Sequence, residues 1–84
     1  MSDYEHLIEL SNLYILSQEF DEALKSLKKA EKLNKLDPKL YYNMGIAYEG
    51  LNDNEHARNA FRLALKLDPT LASAREHLDR LIEE

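Results

Sequence analysis

Two pairs of aspartate and histidine are the residues of this sequence best able to do chemistry. His6 follows Asp3 by three positions, and His56 follows Asp53 by the same interval. That spacing puts both side chains of a pair on one helix face, where they could bind a metal ion together. Both pairs lie in the first turns of helices, however, where the helix dipole favours acidic residues without any ligand. Since the chain also lacks a His-Glu-x-x-His motif, we expect no metal site.

Catalytic groups of other kinds are equally scarce. The chain has no cysteine, which excludes disulfides and cysteine-ligated metals. Gly45 and Gly50 are its only glycines, so no glycine-rich loop can surround a phosphate. The serines and the single threonine form no nucleophile-elbow motif. The sequence therefore predicts a protein that is not an enzyme and holds no cofactor.

A run of lysines is the next candidate for chemistry. Its members are Lys25, Lys28, Lys29, Lys32 and Lys35. Such a stripe could bind RNA or another anion, or it could be a solvated helix face with Glu22 and Glu31 as ion-pair partners. The chain has 11 basic and 16 acidic residues, for a net charge of −5, which opposes a broad nucleic-acid interface. We favour the solvated face and expect no nucleic-acid partner.

The elements that must position these residues are helices. Eighty-four residues make one domain. Sixteen leucines and eight alanines, with four isoleucines and no valine, predict an all-α fold, because strong helix formers dominate and strand formers are rare. No apolar run approaches the roughly 18 residues that span a bilayer, and the N-terminus lacks the form of a signal peptide. We therefore expect a cytoplasmic protein with no membrane partner.

Local signals divide the chain into five helices. Ser2 and Glu5 form a capping box at the start. Asp37 suits an N-cap and Pro38 a first helical position, and Asp68 begins a second break of the same kind. The expected apolar faces are Leu7, Leu10, Leu13 and Tyr14; then Phe20, Ala23, Leu24, Leu27, Ala30 and Leu33; then Leu40, Tyr41, Met44, Ala47 and Tyr48; then Ala57, Ala60, Phe61, Ala64 and Leu65; and finally Leu71, Ala74, Leu78, Leu81 and Ile82.

The helices pair, and the pairs recur with a period of about 34 residues, which is typical of stacked helical hairpins. When the chain is shifted by one period, Tyr14 falls on Tyr48, Ala23 on Ala57, Ala30 on Ala64 and Leu33 on Leu67. A plain helical bundle could use the same small and aromatic residues, but it would not need this period.

The second repeat resembles the tetratricopeptide repeat, whose pattern is W-x2-L-G-x2-Y, then A-x3-F, then A and P. Its matching residues are Tyr41, Met44, Gly45 and Tyr48, then Ala57 and Phe61, then Ala64 and Pro69. The first repeat matches more weakly, with Leu7, Leu10, Ser11 and Tyr14, then Ala23 and Leu27, then Ala30. Lys35 stands where the family has proline. The resemblance implies an α-solenoid fragment with repeats at residues 4–37 and 38–71 and a closing helix at residues 72–84.

The resemblance also implies a non-enzymatic scaffold that binds a protein or peptide segment in a concave groove. By position, the binding residues would be Ile8, Asn12 and Ile15 from the first helix, Tyr42, Asn43, Ile46 and Glu49 from the third, and His77 and Arg80 from the fifth. Acidic residues outnumber basic ones along this groove, with Glu5, Glu9, Glu49 and Glu76 against Lys39 and Arg80. We therefore expect a ligand with apolar anchors and basic flanks.

Some members of that family grip an acidic chaperone peptide with a carboxylate clamp. Asn12 and Asn43 match its two asparagine positions, but Ile8, Ser73 and His77 replace its three basic residues. A carboxylate would lose water there without gaining a cation, so we do not expect this function. The alternative to peptide binding is a self-associating module, because two repeats form a small core and about three are usually needed for a stable stack.

Overall fold

The protein is a stack of antiparallel helices. The structure is a computed structural model, which describes the backbone of residues 2–83 and the side chains of residues 2–82. Over this range the five helices are α1 (Asp3–Leu16), α2 (Phe20–Leu33), α3 (Pro38–Gly50), α4 (Asn54–Leu67) and α5 (Ala72–Glu83), with no strand. The predicted all-α class and five-helix solenoid arrangement are confirmed. Residue 84, the last of the predicted closing helix, lies outside the described residues.

The predicted start signals act as caps. Ser2 Oγ accepts a hydrogen bond from the Glu5 backbone N–H at 3.1 Å, and the Glu5 carboxylate accepts one from the Ser2 N–H at 3.4 Å. Asp37 Oδ1 accepts from the Lys39 N–H at 3.0 Å, and Pro38 occupies the first turn, where its missing N–H has no helical partner to lose. These local bonds fix where α1 and α3 begin.

The turns within the two hairpins share one geometry. Gln18 and Asn52, which occupy equivalent positions of the two repeats, both lie in the left-handed region, with φ of 59° and 60°. The following N–H groups, of Glu19 and Asp53, each donate to a tyrosine carbonyl five positions earlier, at 2.8 and 2.9 Å. The repeated turn makes α1 antiparallel to α2, and α3 antiparallel to α4, in the same way.

Small residues lie where helices approach most closely. Ser11 and Gly45, at equivalent positions of α1 and α3, are both buried. A Cβ atom on Gly45 would lie only 2.5 Å from Cε1 of Phe61, so the Phe61 ring fills the space that a larger residue would need. The buried apolar core is Ala23, Leu24, Leu27, Ala30, Leu40, Tyr41, Met44, Ala47, Ala57, Ala60, Phe61, Ala64, Leu65, Ala74, Leu78 and Leu81.

Four residues of the expected apolar faces are exposed instead. Leu10 and Leu13 of α1 are 39% and 61% exposed, and Leu33 and Ile82 are 57% and 55% exposed. The sequence pattern grouped these four with the core residues of their helices, but a helical pattern shows that a face is apolar without showing what covers it. They lie on outward sides of α1, α2 and α5 that no other described helix covers.

Candidate functional site

The helices expected to form the concave groove are α1, α3 and α5, the first helix of each pair and the closing helix. Side-chain contacts tie the three helices together along it. Asn43 on α3 donates to Asn12 on α1, and His77 on α5 contacts Glu49 on α3. Because these helices lie side by side, residues that are 31 and 28 positions apart in the sequence meet in one groove.

A central pocket of about 300 Å³ lies between α1 and α3. Its lining residues are Asn12, Ile15, Leu16, Tyr42, Asn43 and Ile46. Asn43 Nδ2 donates to Asn12 Oδ1 over 2.9 Å, so the two amides form a polar rim beside the apolar side chains. Leu16 is 81% exposed. The pocket therefore combines accessible apolar surface with a fixed pair of amides, which suits an apolar side chain of a bound peptide and its adjacent backbone.

A second pocket of about 270 Å³ adjoins the N-terminal half of α1. It is lined by Tyr4, Glu5, Ile8, Glu9, Asp37 and Lys39. The Tyr4 hydroxyl donates to Asp37 Oδ2 at 2.9 Å, and Asp37 also caps α3. Burial first, and then the hydrogen bond and charge of Asp37, raise the pKa of Tyr4 far above its ordinary value. Tyr4 is therefore a neutral hydrogen-bond donor that links the start of α1 to the start of α3.

A cluster around His77 forms the α5 side of the groove. His77 Nδ1 lies 2.8 Å from Glu49 Oε1 and 2.8 Å from Arg80 Nη2. The imidazole stacks on Phe61, with ring centroids 5.1 Å apart, and meets Tyr42 edge-on at 5.8 Å. A proton on Nδ1 is donated to Glu49, whereas a bare Nδ1 accepts from Arg80. In a given tautomer, Nδ1 therefore bonds to one of these two charged groups and not to both.

The predicted binding residues fall into three adjoining groups. Asn12, Ile15, Tyr42, Asn43 and Ile46 line the central pocket. Ile8 lies in the neighbouring α1 pocket. Glu49 and Arg80 line a polar pocket of about 340 Å³ together with Asn52, Asn54 and Leu81. His77 lies between the two pockets, since it contacts Glu49 of the polar pocket and Tyr42 of the central one. Sequence reasoning did not identify Tyr4, Asp37, Asn52, Asn54 and Leu81 as groove residues.

The Asp53 and His56 pair has a capping and packing role. Asp53 Oδ1 accepts from the His56 backbone N–H at 3.3 Å, and Asp53 Oδ2 lies 2.7 Å from His56 Nδ1. The imidazole also stacks on Tyr48, with centroids 5.1 Å apart. Among the described residues, no group of three or more histidines and carboxylates is arranged to hold a metal. The absence of a metal site stays a prediction that metal addition would test.

Comparison with known sequences agrees with the hairpin solenoid. A family profile described as TPR repeat matches residues 12–52, and one described as Tetratricopeptide repeat matches residues 38–71. The chain belongs to the tetratricopeptide repeat family. Tetratricopeptide repeats generally mediate protein–protein interactions and are typically non-enzymatic scaffolds. In residues 2–83, no helix has the length and apolar character needed to cross a membrane.

Two curated relatives are similar over most of this chain. The General transcriptional corepressor ssn6 of Schizosaccharomyces pombe is 31% identical over 69 residues, which are 80% of this chain and 6% of the relative. The Heat shock protein STI1 of Saccharomyces cerevisiae is 32% identical over 71 residues, which are 84% of this chain and 12% of the relative. The chain thus spans only a small part of the length of either protein.

Proposed function

We propose that the concave groove binds a protein segment that carries apolar anchors flanked by lysine or arginine. In this function the chain is a non-enzymatic scaffold that needs no cofactor. The observation that carries the proposal is the central pocket, where Ile15, Leu16, Tyr42 and Ile46 present apolar surface beside two asparagines. Buried apolar anchors supply most of the affinity at interfaces of this kind.

The two asparagine amides supply polar recognition beside the anchors. Their mutual hydrogen bond uses Nδ2 of Asn43 and Oδ1 of Asn12. The other amide atoms, Nδ2 of Asn12 and Oδ1 of Asn43, are then a donor and an acceptor beside the pocket. An extended peptide backbone offers both an acceptor and a donor at each residue, so the pair matches an extended segment of almost any sequence next to its anchor.

The charges around the pocket favour basic flanks on the ligand. Glu5 and Glu9 line the adjoining α1 pocket with a single lysine, Lys39. On the α5 side, Glu49, which lies against His77, and the exposed Glu76 outnumber the one arginine, Arg80. The groove is therefore acidic at both ends of its apolar centre. Complementary charge accelerates encounter with a basic segment and disfavours an acidic one.

A titration with matched peptides tests this proposal. One peptide has leucine and isoleucine anchors with lysine and arginine flanks, the second has the same anchors with glutamate flanks, and the third has basic flanks without anchors. We expect the first peptide to bind most tightly, the second more weakly and the third without measurable affinity, with amide chemical-shift changes at Ile15, Asn43 and Ile46 on binding of the first. Equal binding of the first and third peptides would contradict an anchor pocket. Preference for the second peptide would overturn the charge argument.

A further inference from the structure

Three helices of this chain have an equivalent row of residues along one face, with intervals of four and then three positions. We call this row the seam. The seam is Leu40, Met44 and Ala47 in α3, and Ala74, Leu78 and Leu81 in α5. All six are buried, because α3 packs against α2 and α5 packs against α4. The equivalent residues of α1 are His6, Leu10 and Leu13. Here the seam is exposed, with Leu10 at 39% and Leu13 at 61%.

The exposed seam continues into an open pocket between α1 and α2. This pocket has a volume of about 440 Å³ and is lined by Asp3, His6, Leu7, Lys29, Lys32 and Leu33. Leu33 is itself 57% exposed. We call the seam of α1 together with this pocket the outer face. It lies on the side of the first hairpin opposite α3, and it is distinct from the concave groove.

We propose that the outer face packs against the outer face of a second copy of this chain, with the two α1 helices antiparallel across a two-fold axis near Leu10. Leu10 is close to the middle of α1, so antiparallel packing keeps Leu10 next to its own copy. It also brings Leu13 of each chain towards the open pocket of the other. A two-fold contact of this kind is closed, since each patch is used by its own duplicate.

Charge complementarity supports this antiparallel arrangement. Helix α2 begins with the acidic residues Asp21 and Glu22, of which Glu22 pairs with Lys25 at 3.2 Å within the chain, and its second half carries Lys29 and Lys32. The lysines line the pocket near the start of α1, while the acidic residues lie near the end of α1, because the hairpin is antiparallel. Two-fold packing of α1 on α1 therefore brings the basic end of one hairpin to the acidic end of the other. Such pairs fix register and orientation.

The opposite end of the stack disfavours a head-to-tail array. Arg75 and Asp79 on α5 lie one repeat after Tyr41 and Gly45, and both are exposed. These are positions that, in α3, face the second helix of the hairpin. Stacking Leu13 of another copy on them would take an arginine and an aspartate out of water against a leucine, and the cost of removing both charged groups from water opposes this contact. The outer face thus leads to a dimer and not to a filament, and each dimer keeps two open grooves.

Sedimentation velocity from micromolar to near-millimolar concentration tests the dimer. We expect a monomer–dimer equilibrium, and we expect Leu13→Glu or Leu10→Glu to raise the dissociation constant by about tenfold or more. Leu63→Glu is the matched control, since Leu63 on α4 is 37% exposed against 39% for Leu10 and lies away from the outer face. Circular dichroism confirms that each variant is folded. A wild-type chain that stays monomeric overturns the proposal.

Engineered cysteines test the geometry, because the chain has none of its own. Near a two-fold axis, Leu10→Cys brings two sulfur atoms within disulfide range, and mild oxidation should give a covalent dimer. Leu63→Cys should give little covalent dimer under the same conditions. Equal cross-linking of the two variants, or species that grow beyond the dimer in sedimentation, would contradict antiparallel packing of α1.

Discussion

Asn43 Nδ2 lies 2.9 Å from Asn12 Oδ1, so an amide of α3 donates to an amide of α1 across the concave groove. The two asparagines occupy positions that resemble those of a carboxylate clamp, but in this chain they bind each other. The bond fixes the orientation of both amides at the rim of the central pocket. It also ties the two hairpins together on their concave side.

We expect that bond to make the two asparagines energetically coupled. Asn12→Ala and Asn43→Ala should each lower the free energy of unfolding by about 0.5–1.5 kcal/mol, the usual net value of one hydrogen bond. Because either change removes the same bond, the double variant should lose less than the sum. Urea denaturation of the four proteins measures this coupling. Strict additivity would show that the bond contributes nothing in solution.

Gly45 is a position where alanine should destabilise the fold. In an ordinary helix, replacing glycine by alanine stabilises by about 1 kcal/mol. At Gly45 the new Cβ would lie 2.5 Å from the fully buried Phe61 ring, and overpacking of this kind costs about 1–3 kcal/mol. We therefore expect Gly45→Ala to lower the urea midpoint and Gly45→Leu to lower it further.

The control for that prediction is a smaller residue at position 61. Phe61→Leu leaves space beside Gly45. In that background, Gly45→Ala should lower the free energy of unfolding much less than it does in the wild-type chain. If Gly45→Ala stabilises the wild-type chain, α3 and α4 do not pack as closely at Gly45 and Phe61 as the structure shows.

The helices were predictable because their signals are local. The capping box of Ser2 and Glu5 and the step from Asp37 to Pro38 each act within three residues, so sequence alone places them. The burial of an apolar face is not local. Leu10 and Met44 occupy the same position of successive repeats, but Met44 is buried because a hairpin precedes it, whereas Leu10 is exposed.

The groove was predictable by position but not in its contacts. The resemblance to a repeat family identified Asn12 and Asn43 as groove residues, and both line the central pocket. The hydrogen bond from Tyr4 to Asp37 joins residues 33 positions apart, and it depends on how α1 docks beside the start of α3. No spacing rule within one helix predicts such a pair, since it follows from the packing of hairpins.

High pH should destabilise the protein through two tyrosines. The Tyr4 hydroxyl donates to Asp37, and the Tyr41 hydroxyl donates to Glu31 at 3.1 Å. Burial, followed by these carboxylates, raises the pKa of both tyrosines above the ordinary value of about 10. A raised folded-state pKa means that the stabilisation is complete below about pH 10 and is lost as the pH rises through the folded-state value.

Urea denaturation at several pH values measures this effect. The free energy of unfolding of the wild-type chain should fall above pH 10, and the fall should be shallower in the Tyr4→Phe, Tyr41→Phe double variant. Tyr14→Phe is the control, since it removes a tyrosine without touching either carboxylate. An unchanged slope in the double variant would show that neither hydroxyl is held as the structure indicates.

The last prediction separates anchors from charges in the groove. Tyr42 lines the central pocket and packs against Phe61 and His77, with ring centroids 5.9 and 5.8 Å apart. Glu9 is exposed in the adjoining α1 pocket. Truncating a central aromatic anchor commonly costs about 2 kcal/mol or more of binding energy, whereas rim charges mainly alter the association rate. We expect Tyr42→Ala to weaken binding of the basic, apolar-anchored peptide by about 30-fold.

Glu9→Ala should weaken the same binding only a few-fold, and its effect should disappear in high salt because exposed charges are screened. The salt dependence distinguishes a lost charge from lost packing, since the loss from Tyr42→Ala should persist at every salt concentration. Tyr42→Ala also removes packing from the folded chain, so Ile15→Ala provides an independent measure of the same pocket from α1. If Glu9→Ala proves more damaging than both pocket variants, the groove binds its partner by charge and the anchor pocket is not the binding site.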